Sequence, residues 1–196
     1  MISWSRALNF YREARGFTLG EVLVTITITG ILFAIAAASW QNVVESRRVD
    51  SATNQVKADL RLAHTSASNR LGAARLIFNG NGSPVTCNGQ SAAYCLVEPI
   101  PSGGTVQRPR NFESNTIRLT SPNLFLASGP ITIEFAANGT ASTVGAALNA
   151  GLTGVTDRCP SSTPSGVPRI QVSSNASNPT THCLTFNIAT SSIKVD

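Results

Sequence analysis

A chain of 196 residues has room for one globular domain and an anchor, but not for two sizeable cores. Charged residues make up only 13% of it while Gly, Ser, Thr and Asn are plentiful, which suits an extracytoplasmic β-rich domain better than a cytosolic helical enzyme. The formal net charge is +5, but Arg6, Arg12 and Arg15 crowd the first 16 residues with Glu13 as their sole acid; beyond them 12 basic residues face 9 acidic ones, and a balance of +3 is too weak to predict nucleic-acid binding by itself.

From Phe17 to Trp40 the only ionisable residue is Glu21. These residues would form a helix of about 36 Å, enough to cross a hydrocarbon core of about 30 Å. Thr25, Thr27 and Thr29 alternate with Val24, Ile26 and Ile28, a period that elsewhere suggests a strand. In lipid a single segment can satisfy its backbone only as a helix, and each Thr hydroxyl can bond a carbonyl one turn earlier. The preceding arginines predict a single pass with a cytoplasmic N-terminus and the remainder exported. Ala36-Ala37-Ala38 mimics a secretory cleavage site, but an apolar run that carries Glu21 near its start and continues into an amphipathic helix favours a retained anchor. A carboxylate at the edge of a bilayer core is costly, so Glu21 calls for a partner or a purpose.

Beyond Trp40, Val49, Ala52, Val56, Leu60, Ala63, Ala67 and Leu71 recur at steps of three and four, the stripe of an amphipathic helix. Arg47, Arg48, Lys57, Asp59 and Arg61 fall largely off that stripe, and no proline occurs between Phe17 and Ser83. One helix from Phe17 to about Leu71 is predicted, and its stripe needs a sheet to cover it. From about Ala73 short β-like runs alternate with Gly, Pro, Asn and Ser. Candidate strands are Arg75–Phe78, Tyr94–Val97, Thr116–Thr120, Leu124–Ala127, Ile131–Phe135, Arg169–Val172, Cys183–Ile188 and Ile193–Val195, with Gly139 to Gly166 as a long surface loop. The fold class expected is α+β: a long N-terminal helix, transmembrane over about 17–40 and then amphipathic to 72, packed on a mostly antiparallel β-rich domain over 73–196.

Cys87, Cys95, Cys159 and Cys183 all follow the apolar run, where an oxidising compartment would pair them. Of three possible pairings, Cys87 with Cys95 and Cys159 with Cys183 are favoured, the first closing a short loop and the second pinning a long loop to a late strand. No C-x-x-C spacing occurs, and His64 and His182 are too scattered to suggest zinc, so no metal or cofactor is expected. No nucleophile elbow, phosphate loop, dinucleotide fingerprint or H-E-x-x-H motif is present, and catalysis is not expected. His182 beside Cys183 is no nucleophilic pair, because adjacent strand residues point to opposite faces.

The stretch Gly16-Phe17-Thr18-Leu19-Gly20-Glu21-Val22-Leu23-Val24, with its charged leader, resembles the class III signal of type IV prepilins and type II secretion pseudopilins. Gly20 stands where Leu or Ile is commoner. The resemblance implies that prepilin peptidase cuts between Gly16 and Phe17, removing residues 1–16 as a cytoplasmic leader, and that the new Phe17 amine is N-methylated. It further implies a precursor in the inner membrane with its C-terminal domain in the periplasm, followed by assembly with other pilin or pseudopilin subunits in a pilus or pseudopilus. The cut would leave an ammonium at Phe17, and in an assembly Glu21 could meet the Phe17 amine of a neighbouring subunit. An intramolecular partner or a snorkelling carboxylate is the alternative.

Leu60-Arg61-Leu62-Ala63-His64-Thr65-Ser66-Ala67, and Ile133-Glu134-Phe135 followed by Asn138-Gly139, are similar to the minor-subunit branch called FimT in pili and GspH in secretion systems. His64 replaces the usual Arg, and the Trp-Gly pair common in that branch is missing. Some FimT-like minor pilins bind DNA through a Gly-Arg-any-Arg motif near the C-terminus, which would make DNA a candidate partner. Here that stretch reads Ser191-Ser192-Ile193-Lys194, leaving one cation. Arg108-Pro109-Arg110 with Arg118 is an alternative basic patch, although such a run is ordinarily a solvated loop.

Overall fold

The computed structural model describes residues 17–125, 130–144, 147–148, 156–159, 167–175, 179–187 and 192–195. The leader with Gly16, the strand ends proposed at Leu126, Ala127 and Ile188, much of the 139–166 loop, Ser191 and Asp196 lie outside the described residues. The chain forms two units, one ending at Asn42 and the other beginning at Val43. Helix α1, Leu19–Arg70, contributes to both.

Thirteen strands follow: β1 Ala74–Phe78, β2 Val85–Cys87, β3 Gln90–Ala92, β4 Tyr94–Pro99, β5 Thr105–Arg110, β6 Ile117–Thr120, β7 Leu124–Phe125, β8 Ile131–Phe135, β9 Ala141–Val144, β10 Ala147–Leu148, β11 Arg169–Ser174, β12 Thr181–Asn187 and β13 Ser192–Val195. They form a five-stranded sheet ordered β5-β4-β1-β8-β9, a four-stranded sheet ordered β13-β12-β11-β6, and the short pairs β2-β3 and β7-β10. Each pairing between these strands is antiparallel. The fold is α+β, as the period shift near residue 73 implies.

In the first unit the apolar side chains find no cover among the described residues: Leu19 is 84% exposed, Phe33 74% and Trp40 69%. This half of α1 is long and apolar enough to cross a membrane. Its threonines bond backwards, Thr25 Oγ1 to the Val22 carbonyl at 2.8 Å, Thr27 to Leu23 at 2.8 Å and Thr29 to Thr25 at 2.7 Å, so the hydroxyls need no outside partner.

In the second unit the stripe from Val49 to Ala67 is buried and shares one core with Leu76, Phe78, Ile133 and Phe135 of the larger sheet and Ile170, Leu184 and Phe186 of the smaller. Phe135 meets Phe186 edge-on at 5.5 Å, joining the two sheets, and His64 meets Phe135 in the same way at 5.7 Å. The amphipathic half of α1 is therefore part of the β-domain.

Leu71, the last residue of the predicted stripe, departs from it. It is 81% exposed and has φ 49°, because it occupies the left-handed position that ends the helix. The Gly72 amide then returns to the Ala67 carbonyl at 3.2 Å, closing a Schellman turn. Glycine would relieve Leu71, but the glycine falls one residue later for a different reason: a Cβ on Gly72 would lie 2.7 Å from Pro99 Cβ.

Three segments contradict the loop expectations. The hairpin β2-β3 turns on Asn88 and Gly89, both with positive φ, as a two-residue turn of the twist-matched type requires. It covers the face of the larger sheet opposite α1, where Val85, Cys87 and Ala92 pack with Cys95 and Val97 as a second core. Arg108-Pro109-Arg110 belongs to edge strand β5 and not to a loop; Pro109 is tolerated because an edge strand has one side without a ladder partner. Residues 141–144 and 147–148, inside the expected 139–166 loop, pair with β8 and β7.

Leu60→Ala should cost about 2–5 kcal/mol of stability through the cavity it leaves. Leu71→Gly should instead stabilise by about 0.5–1 kcal/mol by relieving the left-handed backbone, while Gly72→Ala destabilises by about 1–3 kcal/mol through overpacking against Pro99. Denaturant midpoints of the three variants check the order.

Candidate functional site

Two places carry the residues that the sequence singles out, one in each unit. At the start of α1, Thr18 is the N-cap. The Glu21 amide donates to Thr18 Oγ1 at 3.2 Å, and Glu21 Oε2 accepts from the Thr18 amide at 2.8 Å and from Thr18 Oγ1 at 3.0 Å. This reciprocal arrangement is a capping box, and its T-x-x-E signature at residues 18–21 stands in the sequence. Glu21 thus has an intramolecular partner, the alternative weighed above. Both donors meet the same oxygen, Oε2, and the carboxylate sits at the positive end of the helix dipole. Phe17, 85% exposed, immediately precedes the cap. A positively charged amine created at Phe17 would lie one residue from Thr18, beside the end of the helix where Glu21 is held.

In the β-domain, Arg108, Arg110, Arg118 and Lys194 do not gather on one surface. Arg108 and Arg110 share one face of β5, and each meets a buried acid. Arg108 Nε donates to Glu98 Oε2 at 2.7 Å, and Ser66 Oγ donates to the other oxygen of Glu98 at 3.0 Å. Arg110 NH2 donates to Asp59 Oδ1 at 3.1 Å; its Nε is 3.1 Å from Asp59 Oδ2 but misaligned, so this nitrogen has no hydrogen bond. Asp59 also accepts from the Tyr94 hydroxyl at 2.8 Å, and Gln55 donates to that hydroxyl at 3.0 Å.

Gln55, Asp59, Ser66 and Arg70, which bonds the Pro99 carbonyl at 2.7 Å, form a polar stripe beside the apolar one. Asp59, expected off the buried stripe, is only 6% exposed for this reason. Arg108 and Arg110 therefore hold edge strand β5 onto β4 and α1.

Arg118 lies on β6, where it donates to the Gly82 carbonyl at 3.3 Å. Lys194 lies on β13, at the opposite edge of the four-stranded sheet, three strand spacings or about 14 Å away. The four cations therefore do not converge on one surface.

Cys87 is bonded to Cys95 and Cys159 to Cys183. The first bond holds the β2-β3 hairpin on β4. The second holds the 156–159 segment on β12, where the Asp157–Arg169 ion pair at 2.9 Å and the Arg158 amide bond to Gln171 Oε1 add support. His182, next to Cys183, faces away from the disulfide and pairs with Asp50 of α1 at 2.7 Å.

Burial in this network, and then the neighbouring Asp59 carboxylate, push the Tyr94 hydroxyl well above the usual phenol range. A raised folded-state pKa contributes stability that is complete below the unfolded value of about 10 and is lost as pH rises above it. Chemical denaturation in detergent across that range should show a downward slope that Tyr94→Phe reduces. Asp59→Ala should cost about 3–5 kcal/mol at neutral pH, because Arg110 and Tyr94 both lose their acceptor.

Residues 11–37 match the model of the prokaryotic N-terminal methylation motif. No curated protein and no solved structure matches the chain. The matched stretch contains the Gly16-Phe17 junction, the Thr18–Glu21 capping box and most of the uncovered half of α1. The motif supports the type IV pilin and pseudopilin superfamily and indicates a pilin-like chain that is processed by prepilin peptidase and assembles with other pilins.

Proposed function

We propose that the chain is a minor pilin of the FimT/GspH-like branch, stored in the inner membrane by residues 17–40 and assembled into a type IV pilus after the leader is removed at Gly16. Its role is structural, not enzymatic. The observation that carries this reading is the pairing of the methylation motif with a helix whose first half finds no apolar cover among the described residues while its second half lies in the core of a β-domain. Such a helix is complete only when lipid or neighbouring subunits surround its first half. A pseudopilin of the GspH type in a type II secretion system would use the same parts.

In this reading the capping box holds the Glu21 carboxylate at the helix end through Oε2, and the other oxygen meets the methylated Phe17 amine of the next subunit. Thr18 is a positioning residue for that contact. A DNA-binding role is the weaker reading, because Arg108 and Arg110 are engaged with Glu98 and Asp59.

Three variants test the roles of Glu21 and Thr18. Glu21→Ala should leave leader removal intact and reduce incorporation into filaments at least roughly tenfold, as expected when a charge in a low-dielectric contact loses its partner. Thr18→Ala should give a smaller loss, and Glu21→Asp, one methylene short, should fall between. Quantifying the chain in sheared filaments against the membrane pool reads all three; unchanged incorporation of Glu21→Ala contradicts the pairing role.

A further inference from the structure

The β-domain carries a groove of about 910 Å³ that none of the pairings above fills. One wall is the start of the domain's part of α1, with Val44, Arg47 and Arg48; the other includes Phe112, Glu113 and Arg118. Three arginines thus line it with one carboxylate. Arg48 shares Glu45 at 3.4 Å, while the other oxygen of Glu45 accepts from the Thr116 hydroxyl. Arg118 is held by the Gly82 carbonyl and lies across Gly82, where a Cβ would come within 3.3 Å of its own. Arg47 is exposed and has no ion-pair partner among the described residues. Guanidinium groups at a concave site, with the apolar Val44 and Phe112 beside them, suit a phosphate that carries an apolar body.

We propose that this groove binds the phosphate of anionic phospholipid headgroups in the membrane that anchors the chain. The inference rests on the anchored reading of residues 17–40. Arg47 follows Trp40 by only seven residues, so a short stretch of chain tethers the groove to that anchor. An anchored domain also meets headgroups at high effective concentration. Each arginine close to an anionic surface contributes roughly fivefold to association. Duplex DNA fits less well, because it needs cations spaced along a backbone track, and Arg108 and Arg110 are ion-paired while Lys194 lies on another edge of the domain.

The test uses the full chain in nanodiscs of phosphatidylcholine alone or of equimolar phosphatidylcholine and phosphatidylglycerol. Amide exchange is followed in peptides covering the β3 and 111–119 walls. Phosphatidylglycerol should slow exchange there several-fold. R47Q/R48Q/R118Q should abolish the slowing, and R47K/R48K/R118K should retain part of it. Equal exchange in the two lipids, or slowing that the glutamine variant keeps, overturns the proposal. So does protection in phosphatidylcholine discs by inorganic phosphate or a short DNA duplex where phosphatidylglycerol gives none. Failure of the chain to enter discs at all overturns the anchored reading and this inference with it, whereas insertion with lipid-independent exchange overturns the inference alone.

Discussion

The apolar stripe of α1 from Val49 to Ala67 can leave water only if strands close over it, and the arrangement of the β-domain follows from that requirement. Two sheets supply the cover, meeting at Phe135 and Phe186. The polar stripe beside it, Gln55, Asp59, Ser66 and Arg70, fixes which strands lie on that flank, because Asp59 and Glu98 are buried and find their partners in Arg110 and Arg108 of β5. Edge strand β5 is thereby held in place by charge as well as by its ladder. The opposite face of the same sheet is closed by the β2-β3 hairpin and its disulfide, so β4 is buried along its whole length.

Ahead of Val43 the same helix has no buried stripe, because none of the described residues covers it. The described side chains there are exposed, and most are of types that a helix in lipid tolerates: branched aliphatics, small residues, and threonines whose hydroxyls are spent on their own backbone. The one charge, Glu21, is placed where a helix has unsatisfied amides and a positive dipole end. In the proposed reading, the capping box makes that carboxylate tolerable before any subunit arrives and leaves it at the end where leader removal would create an amine. Processing and assembly would then meet at residues 17–21.

Much of this was legible in the sequence because it rests on local periodicity and composition. The steps of three and four from Val49 to Ala67 identified the buried face of α1, and the alternation in Ile131–Phe135 identified β8. The hairpin was missed although Asn88-Gly89 is a strong turn signal, because its strands are three residues each and offer too little alternation to register. β5 was read as a loop because Pro109 argues against a strand unless that strand is known to lie at an edge. The buried acids are not legible in the sequence: Asp59 and Glu98 resemble solvated charges until the fold brings in Arg110 from 51 residues away and Arg108 from 10. Thr18 was within reach, since T-x-x-E before an apolar run has a mechanism of its own, but the membrane cost of Glu21 drew attention to outside partners.

The central claim is that the uncovered half of α1 stays with the mature chain and begins at Phe17. The mass of the N-terminal peptide from the chain isolated out of its native membrane tests this directly. The account predicts one dominant species starting at Phe17 and carrying one methyl group on its amine. A chain that begins after Ala38, or one that retains Met1 through Gly16 in the assembled filament, would contradict it.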